Sequence, residues 1–247
     1  MSGSLVIAGL GPGAEELITP QVSRAIDNAT DVIGYTPYTA RIKPRPGLTI
    51  HASGNRVELD RSVHALELAE AGKHVIVVSS GDPGVFAMAA AVYEALETGP
   101  DAWKSIPLQV MPGITAMLAA SARAGAPLGH DFCAINMSDN LKPFDLLEKR
   151  VRLAIEADFA IAFYNPRSKS RPRQFERILD VFRELCEPAR LITFARAIST
   201  SEEKLLTVTM AEATADMADM RTVVVVGSSQ TKRIADTEII YTPRSAS

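Results

Sequence analysis

The chain has few residues of the kinds that hold metals, form disulfide frameworks or cross membranes. Its 247 residues include two cysteines, four histidines and one tryptophan. Cys133 and Cys186 both lie in apolar segments, so we expect buried free thiols rather than a disulfide or a zinc site. The longest apolar runs, such as 75–78 and 223–226, are far too short to span a bilayer. These absences predict a protein without a metal or a membrane partner.

The net charge is also small. A formal charge of −3 at pH 7 argues against a general nucleic-acid binder, because such proteins normally carry a basic surface. The sequence enters an apolar segment at once, without a signal-like region, which favours a cytoplasmic location. A hydrophobic content of 47% with 22% charged residues is ordinary for a soluble globular enzyme.

Two local runs of basic residues stand out from this balance. The first run contains Arg41, Lys43 and Arg45, and the second contains Arg167, Lys169, Arg171 and Arg173. Such runs usually form solvated loops. Two cationic loops on a mildly acidic chain also suit a small polyanionic ligand.

Short apolar segments alternate with amphipathic ones through the first half of the chain. We expect strands at 5–8, 31–34, His74–Ser79 and Leu108–Met111. Helices are predicted around 18–29, 63–70 and 87–96, with an alanine-rich helix after Gly113. Strands that alternate with helices predict an α/β fold, with a largely parallel sheet covered on both faces.

The pattern changes after a small, turn-prone segment at 123–131, which we predict to be a linker. Expected strands beyond it are 132–137, 159–164, 191–194, 204–210, 222–226 and 238–241. Two expected helices carry apolar inner faces formed by Leu147, Val151 and Ile155, and by Phe175, Ile178, Leu179, Phe182 and Leu185. The closely spaced strands predict a mixed sheet. We therefore expect an N-terminal α/β domain at 1–122 and a C-terminal α/β domain at 132–247.

Three turns rich in glycine and proline follow expected strands. Their sequences are GLGPG at 9–13, SSGDPGVF at 79–86 and MPGITA at 111–116. Because the carboxyl ends of parallel strands meet at one edge of a sheet, the three turns predict a ligand crevice there. Simpler roles stay open for two side chains, since Asp82 before Pro83 suits a helix N-cap and Thr115 suits the cap of the next helix.

The first turn alone fits a dinucleotide-binding loop, in which glycines let the main chain approach a pyrophosphate. Two features oppose this interpretation. Pro12 has no N–H to offer a phosphate, and the strand at 31–34 leads into tyrosine instead of the acidic residue that would bind a ribose. A dinucleotide-dependent reductase, or a non-catalytic ligand carrier, remains the alternative from another class.

The motif order GLGPG, SSGDPGVF, PGITA and AFYNPRS resembles the tetrapyrrole methylases, which use S-adenosylmethionine. The resemblance covers nearly the whole chain. Strings at 32–38, 135–144 and 164–168 are similar to those of the branch that methylates precorrin-3B at C-17 and contracts the ring in cobalamin biosynthesis. The alternatives within the class are another precorrin methyltransferase, acting at C-11 or C-20, or a relative acting on RNA or a protein side chain.

The resemblance implies a homodimer of two-domain protomers, with a ligand cleft between the domains and a tetrapyrrole substrate. Carried over by position, it implies that S-adenosylmethionine contacts Pro12, Ser80, Gly81, Asp82, Val85, Thr115, Ala116, Asn165 and Ile198. It also assigns the first turn, with Gly11 and Gly13, to the substrate. S-adenosyl-L-homocysteine would be the product.

Methyl transfer from a sulfonium requires alignment of the reacting atoms rather than a metal. Ring contraction adds proton transfers, which require acid–base groups. We expect these groups around the first strand of the second domain, where the candidates are His130, Ser138, Asp139 and Lys142. Asp139 also suits a helix cap near Pro143, and His130 also suits an exposed turn.

Four further side chains are candidates for substrate binding. Arg41 and Arg167 suit the carboxylates of a tetrapyrrole, because a guanidinium pairs well with a carboxylate. Tyr35 and Tyr38 follow an expected strand near the same crevice. Packing with a satisfied hydroxyl is the simpler role for both tyrosines.

Overall fold

The structure, a computed structural model, describes residues 3–54, 57–138, 142–168 and 170–245. It divides into two compact units, Met1–Thr115 and Ala116–Ser247. Each sheet and each hydrophobic core lies within one of the two units.

Unit 1 is built on a five-stranded parallel sheet. Its elements are β1 (Ser4–Gly9), α1 (Pro20–Asn28), β2 (Asp31–Tyr35), α2 (Thr36–Thr39), β3 (Thr49–Ser53), α3 (Glu58–Glu70), β4 (His74–Ser79), α4 (Met88–Thr98) and β5 (Leu108–Met111). The strand order is β3-β2-β4-β1-β5, and every pairing is parallel. The predicted parallel sheet is confirmed.

Alternate residues of the central strands enter two different cores. Ile7 and Val77 pack with the helices α3 and α4 on one face, whereas Ala8 and Val78 pack with α1 on the other. Because both faces are covered, β1 and β4 read as continuous apolar runs, which is why the sequence predicts them well.

Unit 2 contains a mixed sheet. Its elements are α5 (Ala116–Ala124), β6 (Gly125–Ala126), β7 (Phe132–Asn136), α6 (Phe144–Glu156), β8 (Ala160–Tyr164), α7 (Gln174–Leu185), β9 (Leu191–Arg196), β10 (Lys204–Thr209), β11 (Thr222–Val226), β12 (Lys232–Arg233) and β13 (Ile240–Tyr241). The larger sheet has the order β10-β9-β11-β8-β7, and a small sheet has the order β12-β13-β6. Only β7 and β8 pair in parallel within the larger sheet. The predicted mixed sheet is confirmed.

The core of unit 2 lies between its larger sheet and the helices α6 and α7. Phe163 of β8 and Phe182 of α7 meet edge to face, with ring centroids 5.9 Å apart. The prediction for Leu185 was wrong. It is the last residue of α7 and is 45% exposed.

The boundary between the units differs from the expected linker at 123–131. Helix α5 packs against β10 and β11, and β6 pairs with β13, so the segment from Ala116 onward belongs to unit 2. Gly125 has a φ of 125°, and a Cβ added to it would lie 2.3 Å from the carbonyl oxygen of Ile240. The small residues of this segment therefore serve close packing, although their composition is typical of a linker.

The cysteines are free and half-buried, and burial raises the pKa of both thiols. No helix in the described part of the chain is long and apolar enough to cross a membrane.

Candidate active site

The three glycine turns of unit 1 lie side by side. We name them loop 1 (9–13), loop 2 (80–86) and loop 3 (112–115); they follow β1, β4 and β5, which are neighbours in the sheet. The main chains of Gly11 and Gly81 form two hydrogen bonds, of 2.9 and 3.2 Å. The shared edge predicted from the sequence is confirmed.

Close main-chain contact explains why glycine occupies this edge. A Cβ added to Gly9 would lie 2.4 Å from the carbonyl oxygen of Gly81 and 2.8 Å from the Cα of Gly113. A Cβ added to Gly113 would lie 2.2 Å from the same carbonyl. No other residue type has room here.

Asp82 joins loop 2 to loop 3. Its Oδ2 accepts a hydrogen bond from the main-chain nitrogen of Gly113 at 3.0 Å, and its Oδ1 accepts one from Gly84 at 2.8 Å. The N-cap role considered for Asp82 is wrong, because α4 begins only at Met88, after Phe86 adopts a φ of 54°. The carboxylate organises the loops and caps no helix.

Arg41 holds loop 1 from outside the sheet edge. Its Nη2 donates to the carbonyl of Leu10 at 2.5 Å, and its Nη1 donates to the carbonyl of Gly11 at 3.3 Å. Burial lowers the pKa of this guanidinium. The N–H of Gly11 bonds to Gly81 and Pro12 has no N–H, so neither residue offers a free donor to a pyrophosphate. This geometry opposes the dinucleotide alternative.

The rest of the first basic run also bonds within the protein. Lys43 forms an exposed ion pair of 2.8 Å with Glu15. Arg45 donates to the carbonyls of Ile26 and Ala29 at the C-terminal end of α1, where a cation complements the helix dipole. The expected cationic loop for a polyanion is therefore not formed by these two residues.

The predicted tyrosines pack together beside a buried arginine that the sequence analysis missed. Tyr35 and Tyr38 meet at a right angle, with centroids 5.3 Å apart, and burial raises the pKa of the Tyr38 hydroxyl. Arg61 is only 5% exposed and donates to Ser53 Oγ and to the carbonyl of Gly54. Its position on the apolar face of α3, four residues before the buried Ala65, was the available signal.

In unit 2, the loops after β7, β8 and β9 share one sheet edge, because β8 and β9 both run antiparallel to β11. Asn165 follows β8 with a φ of 51°, and its side-chain nitrogen donates to Asn136 Oδ1 at 3.1 Å. The same oxygen accepts the main-chain nitrogen of Ser138 at 2.9 Å. The two asparagines thus join the loops after β7 and β8.

Two cations support this junction. Lys142 Nζ donates to the carbonyl of Asn136 at 2.5 Å, and Arg171 donates to the carbonyls of Met137 and Asn165. The candidate Asp139 and the basic residue Lys169 lie outside the described residues. The sequence analysis missed the roles of Asn136 and Arg171, since contacts to main-chain carbonyls leave no motif.

The three acid–base candidates within the described residues lie at both ends of β7. His130 is exposed and lies at the amino end of β7, 3.8 Å from Asp131. Ser138 and Lys142 follow the carboxyl end of that five-residue strand, which is about 17 Å long. His130 therefore lies at the opposite end of β7 from Ser138 and Lys142, exposed as the turn alternative has it, and the acid–base roles of all three stay predictions.

Arg167 differs from the arginines already described. It is half-exposed beyond the end of β8 and makes no hydrogen bond or ion pair with any residue that the structure describes. A hydrogen bond from Thr214 lowers the pKa of the Asp216 carboxyl, and the charge of Arg167 lowers it further. The guanidinium is thus near an acid but not bonded to it.

Ile198 lies in the loop after β9 and is 4% exposed. Ala197 and Ser199 on either side of it have positive φ values of 49° and 62°. Within 3–54, 57–138, 142–168 and 170–245, no three histidine, cysteine or acidic side chains are grouped as metal ligands.

Comparison with protein families identifies the chain. Residues 4–214 match the Tetrapyrrole (Corrin/Porphyrin) Methylases. The chain belongs to this family. The methylase is 48% identical, over 99% of its length and 97% of the relative's, to a precorrin-3B C(17)-methyltransferase of Sinorhizobium sp.. It is 39% identical to the cobalamin biosynthesis protein CobIJ of Mycobacterium bovis, of which it covers 48%.

Solved structures agree with this assignment. The crystal structure of the methyltransferase CobJ matches 98% of this methylase at 62% identity, with a TM-score of 0.95. A uroporphyrin-III C-methyltransferase from Thermus thermophilus, complexed with S-adenosylhomocysteine, has a TM-score of 0.66 at 20% identity over 91% of the chain. The second likeness concerns the fold alone. The protein is a methyltransferase with the α/β fold of its family.

Proposed function

We propose that the protein transfers a methyl group from S-adenosylmethionine to C-17 of precorrin-3B and contracts the ring during cobalamin biosynthesis. The substrate is the one named for the Sinorhizobium relative, which is 48% identical over nearly the full length of both chains. The observation that carries the proposal is the edge of unit 1, where three loops pack main chain to main chain and Asp82 joins two of them.

The chemistry of this edge fits S-adenosylmethionine, which has no phosphate and, when bound, supplies an electrophilic methyl group. Loop 1 has its carbonyls turned to Arg41 and its Gly11 N–H bonded to loop 2, so it suits a ligand without phosphates. We propose that the cofactor contacts are those that the family resemblance implies, namely Pro12, Ser80, Gly81, Asp82, Val85, Thr115, Ala116, Asn165 and Ile198.

The protein's part in methyl transfer is alignment. The glycines let a ligand approach the main chain of loop 2, and the bonds of Asp82 keep loops 2 and 3 in place before binding. A preorganised site places the reacting atoms in line without rearrangement during the reaction.

Arg167 is the leading candidate to bind a carboxylate of the substrate, because its guanidinium is bonded to no described residue. Gly11, Gly13, Tyr35 and Tyr38 complete the proposed substrate surface. Arg41 belongs to this surface through loop 1, whose carbonyls it holds.

The proton transfers of ring contraction are assigned to Ser138, Asp139 and Lys142. Lys142 and Ser138 both bond to Asn136 at the carboxyl end of β7. His130 is not included, because it lies at the other end of the strand.

Calorimetry tests the cofactor, and mass spectrometry tests the reaction. The purified protein is expected to bind S-adenosylhomocysteine and not NAD; the reverse result rejects the proposal. Incubation with precorrin-3B and S-adenosylmethionine is expected to give a methylated, ring-contracted product. A methylated product with an intact ring would instead indicate a precorrin methyltransferase acting at another carbon.

We also propose a homodimer, as the family resemblance implies, and a cytoplasmic location. Light scattering after size-exclusion chromatography is expected to give twice the chain mass of 26.6 kDa. A monomer at micromolar concentration would contradict the dimer. Fractionation of the source cells tests the location, and recovery with the membranes would contradict it.

A further inference from the structure

The loop that follows β9 is built from residues in an uncommon backbone conformation. Ala197 and Ser199 have positive φ values, which residues other than glycine avoid because Cβ approaches a carbonyl oxygen. Both are nonetheless buried, as is Ile198 between them. A buried loop keeps such a shape only when its surroundings hold it there.

Glu203 provides that support. Its Oε2 accepts the main-chain nitrogen of Ser199 at 2.6 Å. Its own nitrogen donates to the carbonyl of Thr200 at 3.1 Å, and the hydroxyl of Thr200 donates to the carbonyl of Ala197 at 2.7 Å. The carboxylate thus binds the main chain next to Ile198, inside the connection between β9 and β10.

The second oxygen of Glu203 faces helix α5. Oε1 lies 3.3 Å from Nε of Arg123, in the last turn of that helix. The side chain of Glu203 is only 27% exposed, and bonds to an ionised carboxylate are stronger than neutral ones. Glu203 therefore links the loop to α5, whose first residue is Ala116.

Its neighbour Glu202 provides a contrast. The side chain of Glu202 is 59% exposed and lies 2.8 Å from Arg221 and 3.8 Å from Arg196. Its carboxylate holds no main-chain nitrogen of the loop in any contact between described residues. Two adjacent glutamates thus have different tasks, and only Glu203 supports the positive-φ residues.

We propose that Glu203 is a positioning residue for the cofactor. Its carboxylate fixes the main chain around Ile198 in the shape that meets the nucleoside, and Arg123 holds the carboxylate in turn. The inference rests on the proposed function, because it concerns the binding of S-adenosylmethionine. It adds two residues to the site, neither of which touches the cofactor.

Calorimetric titration with S-adenosylhomocysteine tests this role, with thermal unfolding measured for each variant. Glu203→Ala is expected to weaken binding about tenfold, the effect of losing one bond to a charged acceptor. Glu203→Gln keeps an acceptor for Ser199 but loses the ion pair, so its dissociation constant is expected to lie between those of the wild type and Glu203→Ala. Glu202→Gln, the matched control, is expected to bind like the wild type.

The outcomes separate the inference from the proposed function. If the wild-type protein binds no S-adenosylhomocysteine, the proposed function fails. If the wild type binds it and Glu203→Ala binds it equally well while melting at a lower temperature, the role of Glu203 is structural only and the inference is overturned. Should Glu203→Ala not fold, Arg123→Gln replaces it and is expected to weaken binding about threefold. If Arg123→Gln and Glu203→Gln both fold and bind S-adenosylhomocysteine as tightly as the wild type, the inference is overturned as well.

Discussion

The carboxylate of Asp82 receives the main-chain nitrogen of Gly113 at 3.0 Å, although 31 positions separate the two residues. Its other oxygen receives the nitrogen of Gly84 at 2.8 Å. Both oxygens are therefore engaged in ordering loops 2 and 3. The side chain shapes the site mainly through the main chain around it.

Replacing Asp82 is expected to weaken cofactor binding without unfolding the protein. Asp82→Ala removes both acceptors and frees loops 2 and 3, so the dissociation constant for S-adenosylhomocysteine is expected to rise about tenfold. Asp82→Asn keeps one acceptor oxygen, so its dissociation constant is expected to rise less than that of Asp82→Ala. Calorimetry on variants with a native circular dichroism spectrum measures both effects, and an unchanged constant for Asp82→Ala would show that the loops hold their shape without it.

Arg41→Ala is expected to destabilise unit 1 through loop 1. The change leaves the carbonyls of Leu10 and Gly11 without the guanidinium, and Leu10 is fully buried. Losing a partner for buried carbonyls costs about 1–3 kcal/mol, which urea unfolding detects. Lys43→Ala, two residues on, removes an exposed ion pair and serves as the control with an unchanged midpoint. Equal midpoints for both variants would contradict the role of Arg41.

Arg167→Ala is expected to act on the substrate and not on the cofactor. If Arg167 binds a carboxylate of the tetrapyrrole equally in the ground and transition states, KM rises about tenfold and kcat stays the same. Steady-state kinetics with precorrin-3B measures the split. Arg150→Ala, an exposed arginine of α6, controls for the loss of one positive charge. If Arg167→Ala, Arg150→Ala and the wild type all have the same KM, Arg167 does not bind the substrate.

Acid stability is expected to depend on Asp31, which is 4% exposed. Burial alone would raise its pKa, but hydrogen bonds from His51 and Thr30, of 2.8 Å each, outweigh burial and lower the pKa below the ordinary value of 3.8. A carboxyl with a lowered pKa stabilises the folded state above its unfolded pKa, and this stabilisation is lost as pH falls through the folded pKa.

Asp31→Asn tests this dependence. The variant is expected to be less stable than the wild type at neutral pH, by about 2 kcal/mol for hydrogen bonds to a charged group. The difference should shrink as pH falls below 3.8, the ordinary pKa of the carboxyl. Urea unfolding between neutral and acid pH measures it, with Asp27→Asn on the exposed face of α1 as the control. A difference that is constant with pH would contradict the prediction.

The central strands were predictable almost to the residue, because parallel strands buried on both faces have unbroken apolar sequences. Strand β4 matches its predicted bounds, and β1 extends one residue beyond the predicted 5–8 at each end. The edge strand β3 was missed, since Thr49, His51 and Ser53 alternate with small and apolar residues and are only partly covered. The short helix α2 was missed for a related reason, as four residues carry no helical periodicity.

The candidate site was predictable where it consists of glycine turns, because the alternating pattern predicts a parallel sheet and the carboxyl ends of parallel strands meet at one edge. It was less predictable where one side chain bonds to a distant main chain. Three contacts of this kind are those of Asp82 with Gly113, of Arg171 with Met137 and of Arg61 with Gly54. These contacts depend on the shapes of loops, which the spacing of residue types along the sequence does not determine.

The contact of Gly9 with Gly81 and Gly113 also restricts how this protein can change over generations. One methyl group added at Gly9 or Gly113 meets backbone atoms within 3 Å, and backbone atoms cannot move aside as a flexible side chain does. A tolerated substitution there requires a compensating shift of a second strand end at the same time. Single substitutions at Gly9 and Gly113 are therefore expected to be excluded, and sequence differences among descendants are expected mainly in the outer helices.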